Sequence, residues 1–343
     1  FGSSLLGRAS SQLRRPSPPL HLAAEMRRLL ALLGLGGLSL GPDLRASPVR
    51  VVDLRVYPVK SCGGISVPSA RMAATGLEWD RVLAVTDGFG RAQTQRLHRR
   101  LAGIRPELDA EAGTLTLHAD GMEPLRVPLA GLEAAGCKRT VVRMGHGDPV
   151  PAWRYPAVVT EWLTQLLAGS PGLSIDGGPR QVGVPGDVFH LARYDEGASA
   201  KRRVANDVGG DHALPEDQVA FPDLFPLLLT AQESLNRVNK DVPGEAVGMD
   251  RFRPNIVVAG APAFDEDGWA VVELGNGPRQ LTLRCLEQDP RCQIPSIDQR
   301  TGEPDARFEP ARALRASRRL HDPAGRAGPL AREGPMFGVY AAH

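Results

Sequence analysis

The residues of this chain whose types and spacing could do chemistry fall in three short stretches. Cys292 stands in Pro290-Arg291-Cys292-Gln293-Ile294-Pro295. The flanking prolines interrupt regular pairing and put the cysteine on a loop or strand edge. Arg291 beside it would favour the thiolate, the form that ligates metal or attacks. Local chemistry leaves a second reading open, because a lone cysteine also serves as a small buried hydrophobe. Lys60 and Ser61 stand in Tyr57-Pro58-Val59-Lys60-Ser61-Cys62-Gly63-Gly64. The proline stops a strand and the glycines permit a tight turn, so a cation and a hydroxyl share a corner with free backbone N–H groups. That arrangement suits an anion such as phosphate, although an ordinary polar turn has the same local form. In Arg253-Pro254-Asn255 a guanidinium fork for phosphate stands beside an amide that both donates and accepts.

Elements that could position these residues are legible around them. Residues 51–59 form a β-branched strand leading into the Lys60 corner. Asp80-Arg81 introduces a strand over 82–86, and residues 92–95 would pair back on it after the turn 87–90. Short strands are expected at 114–118, 125–128 and 140–144, making residues 50–150 a small β-rich unit. Residues 156–167 carry apolar side chains at helical spacing, with Pro156 well placed at the start. A buried strand over 227–229 precedes a helix over 231–239, for which Thr230 and Glu233 spell a capping box. Asn255 leads into a further strand, and alternation over 281–284 predicts the strand that delivers Cys285 and Cys292. Residues 177–214, with Lys201-Arg202-Arg203 inside, look like a solvated loop or a basic surface for an acidic electron donor.

The bulk numbers narrow the classes. The chain has 343 residues, 42% of them hydrophobic and only 5% aromatic, with a formal net charge of +2. Residues 1–50 hold seven arginines against Glu25 and Asp43, so the remaining body is mildly acidic. Neither feature suits a nucleic-acid binder. The four cysteines contain no C-x-x-C pair, and Cys285 and Cys292 have no histidine close by, which is poor zinc spacing. No nucleotide-binding glycine loop, G-x-S-x-G or H-E-x-x-H occurs. Residues 1–48 form a basic, acid-poor leader with an apolar run of thirteen residues, Leu29–Gly41. A membrane span needs about 20 residues, so the run reads as a targeting segment or a marginal anchor, with a disordered tail the equal alternative.

Taken together, YPVKS at 57–61, Asp80-Arg81, Thr94-x-Arg96, Phe252-Arg253-Pro254-Asn255 and Arg291-Cys292 with Asp298, Thr301 and Gly302 resemble the MOSC family in its branch of mitochondrial amidoxime-reducing components. Asp223, Pro226, Ser234, Leu235 and Asn236 fit a further family pattern, and Pro335-Met336-Phe337-Gly338-Val339-Tyr340 matches the family's closing segment. The resemblance covers about residues 50–340. It departs at Arg154-Tyr155-Pro156, where the family has another helix entry, and at the end, where members run on through another strand; closure of the second barrel is expected to be incomplete.

The resemblance implies a mostly β (α+β) chain. It would divide into a leader at 1–48, a MOSC N-terminal β-barrel-like domain at 49–175, and a MOSC β-barrel domain with few helices at 176–343. It implies that Cys292 binds the molybdenum of a molybdopterin cofactor, and that Lys60, Ser61, Arg81, Arg253, Asn255 and Arg291 help to hold the pterin. The reaction implied is reduction of N-hydroxylated compounds, amidoximes and hydroxylamines, with nitrite a further candidate. Electrons would come from cytochrome b5 and NADH-cytochrome b5 reductase, in the mitochondrion, with outer-membrane attachment through the leader. The alternative is a carrier or sulfur-transfer MOSC protein without reductase turnover. The sulfurase relatives place a pyridoxal-phosphate domain ahead of their MOSC domain, for which this chain is expected to have no room.

Overall fold

A computed structural model describes residues 5–7, 49–145, 148–168, 170–173, 179–181, 187–204, 213–275, 280–318 and 334–343. The expected targeting run at 29–41, the boundary at 175 and much of the loop over 177–214 lie outside the described residues.

The fold is mostly β, as expected, with three α-helices among the described residues: Ala157–Leu167, Gln232–Asn239 and Ala311–Ser317. The largest sheet has seven strands in the order Val271–Leu274, Leu281–Pro290, Met336–Ala342, Leu227–Ala231, Ile256–Ala259, Arg50–Val56 and Ile65–Ser66. All neighbours pair antiparallel except Leu227–Ala231 and Ile256–Ala259. Those two are joined by the helix Gln232–Asn239, since parallel neighbours need a crossover connection. One inner face buries Leu54, Leu227, Leu229, Ile256, Val258, Leu283 and Val339 together.

A second sheet orders Lys138–Val142, Val150–Arg154, His190–Tyr194 and Leu83–Thr86, all antiparallel. A three-stranded meander, Arg105–Asp109, Thr114–His118 and Leu125–Pro128, packs beside it. The helix Ala157–Leu167 turns Val159, Trp162, Leu163, Leu166 and Leu167 into the core they share with Leu83, Val85, Leu115 and Leu117.

Several expectations change in detail. None of the sheets closes into a barrel among the described residues. Arg50–Val56 pairs with Ile256–Ala259, so the first strand of the N-terminal unit is built into the sheet of the second. Met336–Ala342, the segment matched to the family's closing pattern, pairs with both Leu281–Pro290 and Leu227–Ala231 and so lies inside the large sheet. Residues 92–95 return to the 83–86 strand only through a bridge at Thr86 and Ala92, with Gln93 N donating to Val85 O at 2.7 Å. From the leader, Leu5–Gly7 pairs with Ser69–Arg71, although composition gave it no place in the fold.

The capping box does not form. Ala231 is the N-cap and makes no side-chain capping bond. Thr230 Oγ1 donates to the Met249 sulfur at 3.4 Å, and Glu233 Oε1 accepts from Gly260 N at 2.7 Å. The helix entry is held instead by Glu266, which accepts from Ala231 N at 3.2 Å and from Ser234 Oγ at 2.8 Å. A buried carboxylate 35 residues downstream has outcompeted the local signature.

Candidate functional site

The strand Arg50–Val56 ends at Tyr57, whose N–H donates to the buried Asp80 carboxylate at 2.8 Å. Pro58 closes the strand, and Lys60 N donates to Leu83 O at 2.8 Å, locking the corner to the second sheet. Ser61 adopts φ 66, a left-handed conformation that costs a non-glycine residue roughly 1–3 kcal/mol. The two glycines that follow serve close approach. A Cβ on Gly64 would lie 2.4 Å from the Tyr57 ring, and one on Gly63 would lie 2.9 Å from Ile104 O.

Arg81 and Arg253 also have left-handed backbones, φ 47 and φ 58. Their guanidinium carbons each lie 4.4 Å from the Tyr57 ring centroid, within cation–π range. Arg81 donates to Asp80 at 2.6 Å, to Asn255 Oδ1 at 3.1 Å and to Arg253 O at 2.9 Å. Arg253 Nη1 donates to Cys62 O at 2.7 Å and to Gln299 Oε1 at 3.2 Å, while its buried Nη2 has no hydrogen-bond partner among the described residues. Burial, reinforced by Arg81, pushes the Arg253 guanidinium down to about 10.

Lys60 Nζ donates to Phe221 O at 2.9 Å and to Asp223 at 2.5 Å. Burial draws the Lys60 ammonium below its ordinary range, with Asp223 pulling the other way. Burial acts to raise the Asp223 carboxyl, but Lys60 outweighs it and holds the group below the usual carboxylate range. The Asp223 side chain is 56% exposed, so solvent screens this pair.

The strand Leu281–Pro290 carries the chain to Cys292, which is exposed, while Cys62, Cys137 and Cys285 are buried. Burial pushes the Cys62 thiol up to about 12, against Arg253, and the side chain lies in the core with Val59, Leu83 and Ile104, which makes it an unreactive cysteine. Ile294 N–H reaches the Cys292 sulfur at 3.5 Å. The residues after it form the loop's base. Asp298 Oδ1 accepts from Arg300 N at 2.9 Å and Thr301 N at 3.0 Å, and Arg251 meets Oδ2 at 3.2 Å. Gly302, at φ 73, lies so close to the 99–103 turn that a Cβ would sit 2.7 Å from Arg99 O.

These elements meet around one cavity of about 730 Å³. Its walls hold six cationic side chains, Lys60, Arg81, Arg96, Arg253, Arg291 and Arg315, against the carboxylates of Asp223 and Asp289. Cys292, Ser61, Asn255 and Tyr340 line it too, so all seven residues singled out from the sequence are brought together. Among the described residues, Ser61 Oγ has no hydrogen-bond partner, and no three His, Cys, Asp or Glu side chains converge. Another depression, of about 760 Å³, is an open groove beside the Arg193–Glu196 pair and contains no thiol.

Several of these polar side chains are also bound within the chain. Asn255 is largely an internal tie: Oδ1 accepts from Arg81 and from Leu228 N at 3.1 Å, and Nδ2 donates to Arg55 O at 3.2 Å. Arg291 directs its guanidinium to the buried Asp289 carboxylate and to Phe252 O at 2.9 Å, so Cys292 shares its charge with Asp289. Arg202, read as a solvated loop residue, clamps the backbone carbonyls of Ala220, Pro222 and Asp223. Asp289 went unnoticed in the sequence, although a carboxylate inside a strand two residues before Arg291 is a readable signal for a buried ion pair. Tyr340 donates to Asp289 Oδ1 at 2.7 Å.

The MOSC N-terminal beta barrel domain family matches residues 48–170, and the MOSC domain family matches residues 216–342. The chain is 30% identical over 295 residues to the mitochondrial amidoxime reducing component 2 of Bos taurus, covering 84% of this chain and 77% of that protein. It is 28% identical over 329 residues to the human mitochondrial amidoxime-reducing component 1, covering 91% and 87%. It is also 28% identical over 312 residues to the molybdenum cofactor sulfurase of Emericella nidulans, covering 74% of this chain but 35% of that longer protein.

Proposed function

This chain belongs to the MOSC-domain family that includes the mitochondrial amidoxime reducing components, and from that membership we propose a molybdenum-pterin enzyme that reduces N-hydroxylated compounds. One observation carries the reading: an exposed thiol stands at a cavity with a marked cationic surplus and a buried, unpaired guanidinium N–H. A buried N–H donor without a partner costs roughly 1–3 kcal/mol. An anionic oxygen from a phosphate would remove that cost and balance the local charge.

The donor set fits the group. Cys292 offers one soft sulfur ligand, and the cavity adds no competing protein ligand cluster among the described residues. Lys60, Ser61, Arg81 and Arg253 would hold the phosphate end. Asn255 would act mainly by fixing Arg81, and Arg291 by anchoring the loop that carries Cys292. When bound, the molybdenum-pterin group supplies the two-electron chemistry that takes oxygen from nitrogen, R–NHOH + 2e⁻ + 2H⁺ → R–NH₂ + H₂O. The chain's residues orient substrate and manage protons. Leu97, Met144, Leu224 and Phe225 give the cavity an apolar side. Tyr340 holds a proton against Asp289, and burial keeps its phenol above the ordinary range.

Electrons would arrive from outside, through cytochrome b5 and its NADH-dependent reductase. The names of the relatives support a mitochondrial location, and residues 1–48 would supply the address and an outer-membrane attachment. The test is to express the chain with the pterin cofactor available, then measure bound molybdenum and benzamidoxime turnover with an artificial electron donor. Stoichiometric metal with turnover is expected. Metal without turnover would favour a carrier or sulfur-transfer role; absence of metal would overturn the reading of the site.

A further inference from the structure

Gln95 and Gln299 occupy the unspecified positions of two separate motifs, the x of Thr94-x-Arg96 and the residue after Asp298 in the cysteine loop. They lie 204 residues apart in sequence, yet both are buried and face each other. Gln95 Nε2 donates to Gln299 Oε1 at 2.8 Å, and Gln299 Nε2 donates back to Gln95 Oε1 at 3.1 Å.

The remaining capacity of each amide is spent on the site. Gln95 Nε2 also donates to Ser61 O at 2.8 Å, and Gln299 Nε2 to Ile297 O at 3.0 Å. Gln299 Oε1 accepts a second bond, from Arg253 Nη1 at 3.2 Å. All four amide N–H donors are therefore used. Turning either amide over would set an NH₂ against a donor: Arg253 Nη1 in one case, the partner's Nε2 in both. Only one arrangement satisfies every group, and a fully satisfied buried polar network fixes geometry more sharply than apolar filling of equal volume.

The consequence for Arg253 is specific. Its Nη1 is consumed by Gln299 and Cys62 O, which leaves Nη2 as the unpaired donor. The same network holds Ser61 O from behind, leaving Ser61 Oγ without a protein partner among the described residues. Gln299 also ties down the base of the Cys292 loop, beside the Arg99–Glu303 ion pair at 3.0 Å and the buried contact of Ala102 with Ile297.

We propose that the reciprocal Gln95–Gln299 pair is a positioning device of this chain, setting the place of the Cys292 loop relative to the Ser61 and Arg253 anion contacts. It acts through those residues and touches neither metal nor substrate. The proposal rests on the molybdenum-pterin reading for its functional consequence and on geometry alone for its mechanical one. A cofactor held at one end by a thiolate and at the other by an oxyanion site is retained only if both ends stay in register.

Gln95→Met, Gln299→Met and the double variant test it with two readouts. In cofactor-free protein, deuterium uptake over residues 292–303 should rise at least threefold in Gln95→Met, although residue 95 is remote in sequence. In loaded protein, each single variant should release pterin at least tenfold faster, and the double variant should be no worse than the worse single. Should Gln299→Met fail to fold, Gln95→Met carries the test, because it leaves Arg253 and Ile297 their partner. Unchanged uptake over 292–303, wild-type release from both singles, or strictly additive effects would overturn the proposal. A wild-type chain that binds no pterin would sink the reading of the site instead, while the exchange measurement would still decide whether the clasp controls the loop.

Discussion

Glu266→Gln offers a test of the buried scaffold behind the cavity. Glu266 is fully buried, and its two oxygens serve Ala231 N and Ser234 Oγ at the start of the Gln232–Asn239 helix. Burial pushes its carboxyl from 4.5 up to about 7. The folded chain therefore keeps a proton that the unfolded chain has lost, throughout that interval. The sign follows: the stabilising contribution is full below about 4.5, declines as pH rises, and is gone above about 7. The interval is worth about 3 kcal/mol, at about 1.4 kcal/mol for each pH unit. A glutamine has no proton to lose. Its oxygen can take Ala231 N, and its NH₂ can donate to Ser234 Oγ, which then accepts it alongside Phe264 N at 2.7 Å. Urea unfolding of both proteins at several pH values, compared as a difference, cancels every other titrating group. The variant should match the wild type near pH 4.5 and exceed it by about 3 kcal/mol at pH 7.5. A difference that stays constant over that range would refute the assignment of the titration to Glu266.

Other expectations concern the site itself. Cys292→Ala should fold normally but lose bound molybdenum and benzamidoxime reduction, whereas Cys285→Ala, in the sheet core, should keep its metal; wild-type turnover by the first variant would remove Cys292 from the ligand role. Lys60→Met should destabilise the fold by about 1–3 kcal/mol in denaturant melts, because the buried Phe221 O loses its donor, while solvent compensates much of the change at the half-exposed Asp223; an unchanged midpoint would show that the corner does not depend on this bond. Gly64→Ala, whose Cβ would lie 2.4 Å from the Tyr57 ring, should displace that ring and lower pterin retention; retention equal to wild type would show that the corner yields without cost. A chain beginning at Ser47 should keep activity with an artificial donor but lose co-fractionation with mitochondria, and lost activity would instead show that the Leu5–Gly7 pairing matters.

Much of the candidate site was readable because its chemistry lies in residue types that the fold then has to accommodate. Lys60, Ser61, Arg81, Arg253 and Cys292 sit at strand ends and turns marked by proline, glycine or an adjacent acid, and those marks are local. The mostly β class was readable for the same reason, from alternation and β-branched runs. The sheet partner of each strand was not. Nothing within Arg50–Val56 says that it pairs with Ile256–Ala259 and not with the strands that follow it in sequence. Pairing is decided by which apolar faces must be buried together, and that is a property of the whole chain.

The division of labour among the polar residues was hidden by the same nonlocality. Sequence can place an arginine beside a cysteine, but the charge that reaches the sulfur depends on what else the guanidinium meets. For Arg291 the answer is Asp289, itself tied to Tyr340 and so to the last strand of the sheet. For Asn255 it is Arg81, Leu228 and Arg55, three segments of backbone and side chain from both halves of the chain. Thr230 and Glu233 make the same point for the helix: both are good capping residues, and both are drawn off by partners the local pattern cannot show. Each of these groups can make only a fixed number of hydrogen bonds, so every long-range contact it accepts subtracts from the role its neighbours in sequence suggest. At the cavity wall Arg253 Nη2 and Arg291 Nε are buried donors without a hydrogen-bond partner among the described residues, and the Ser61 hydroxyl adds a third group that no contact within the described chain claims.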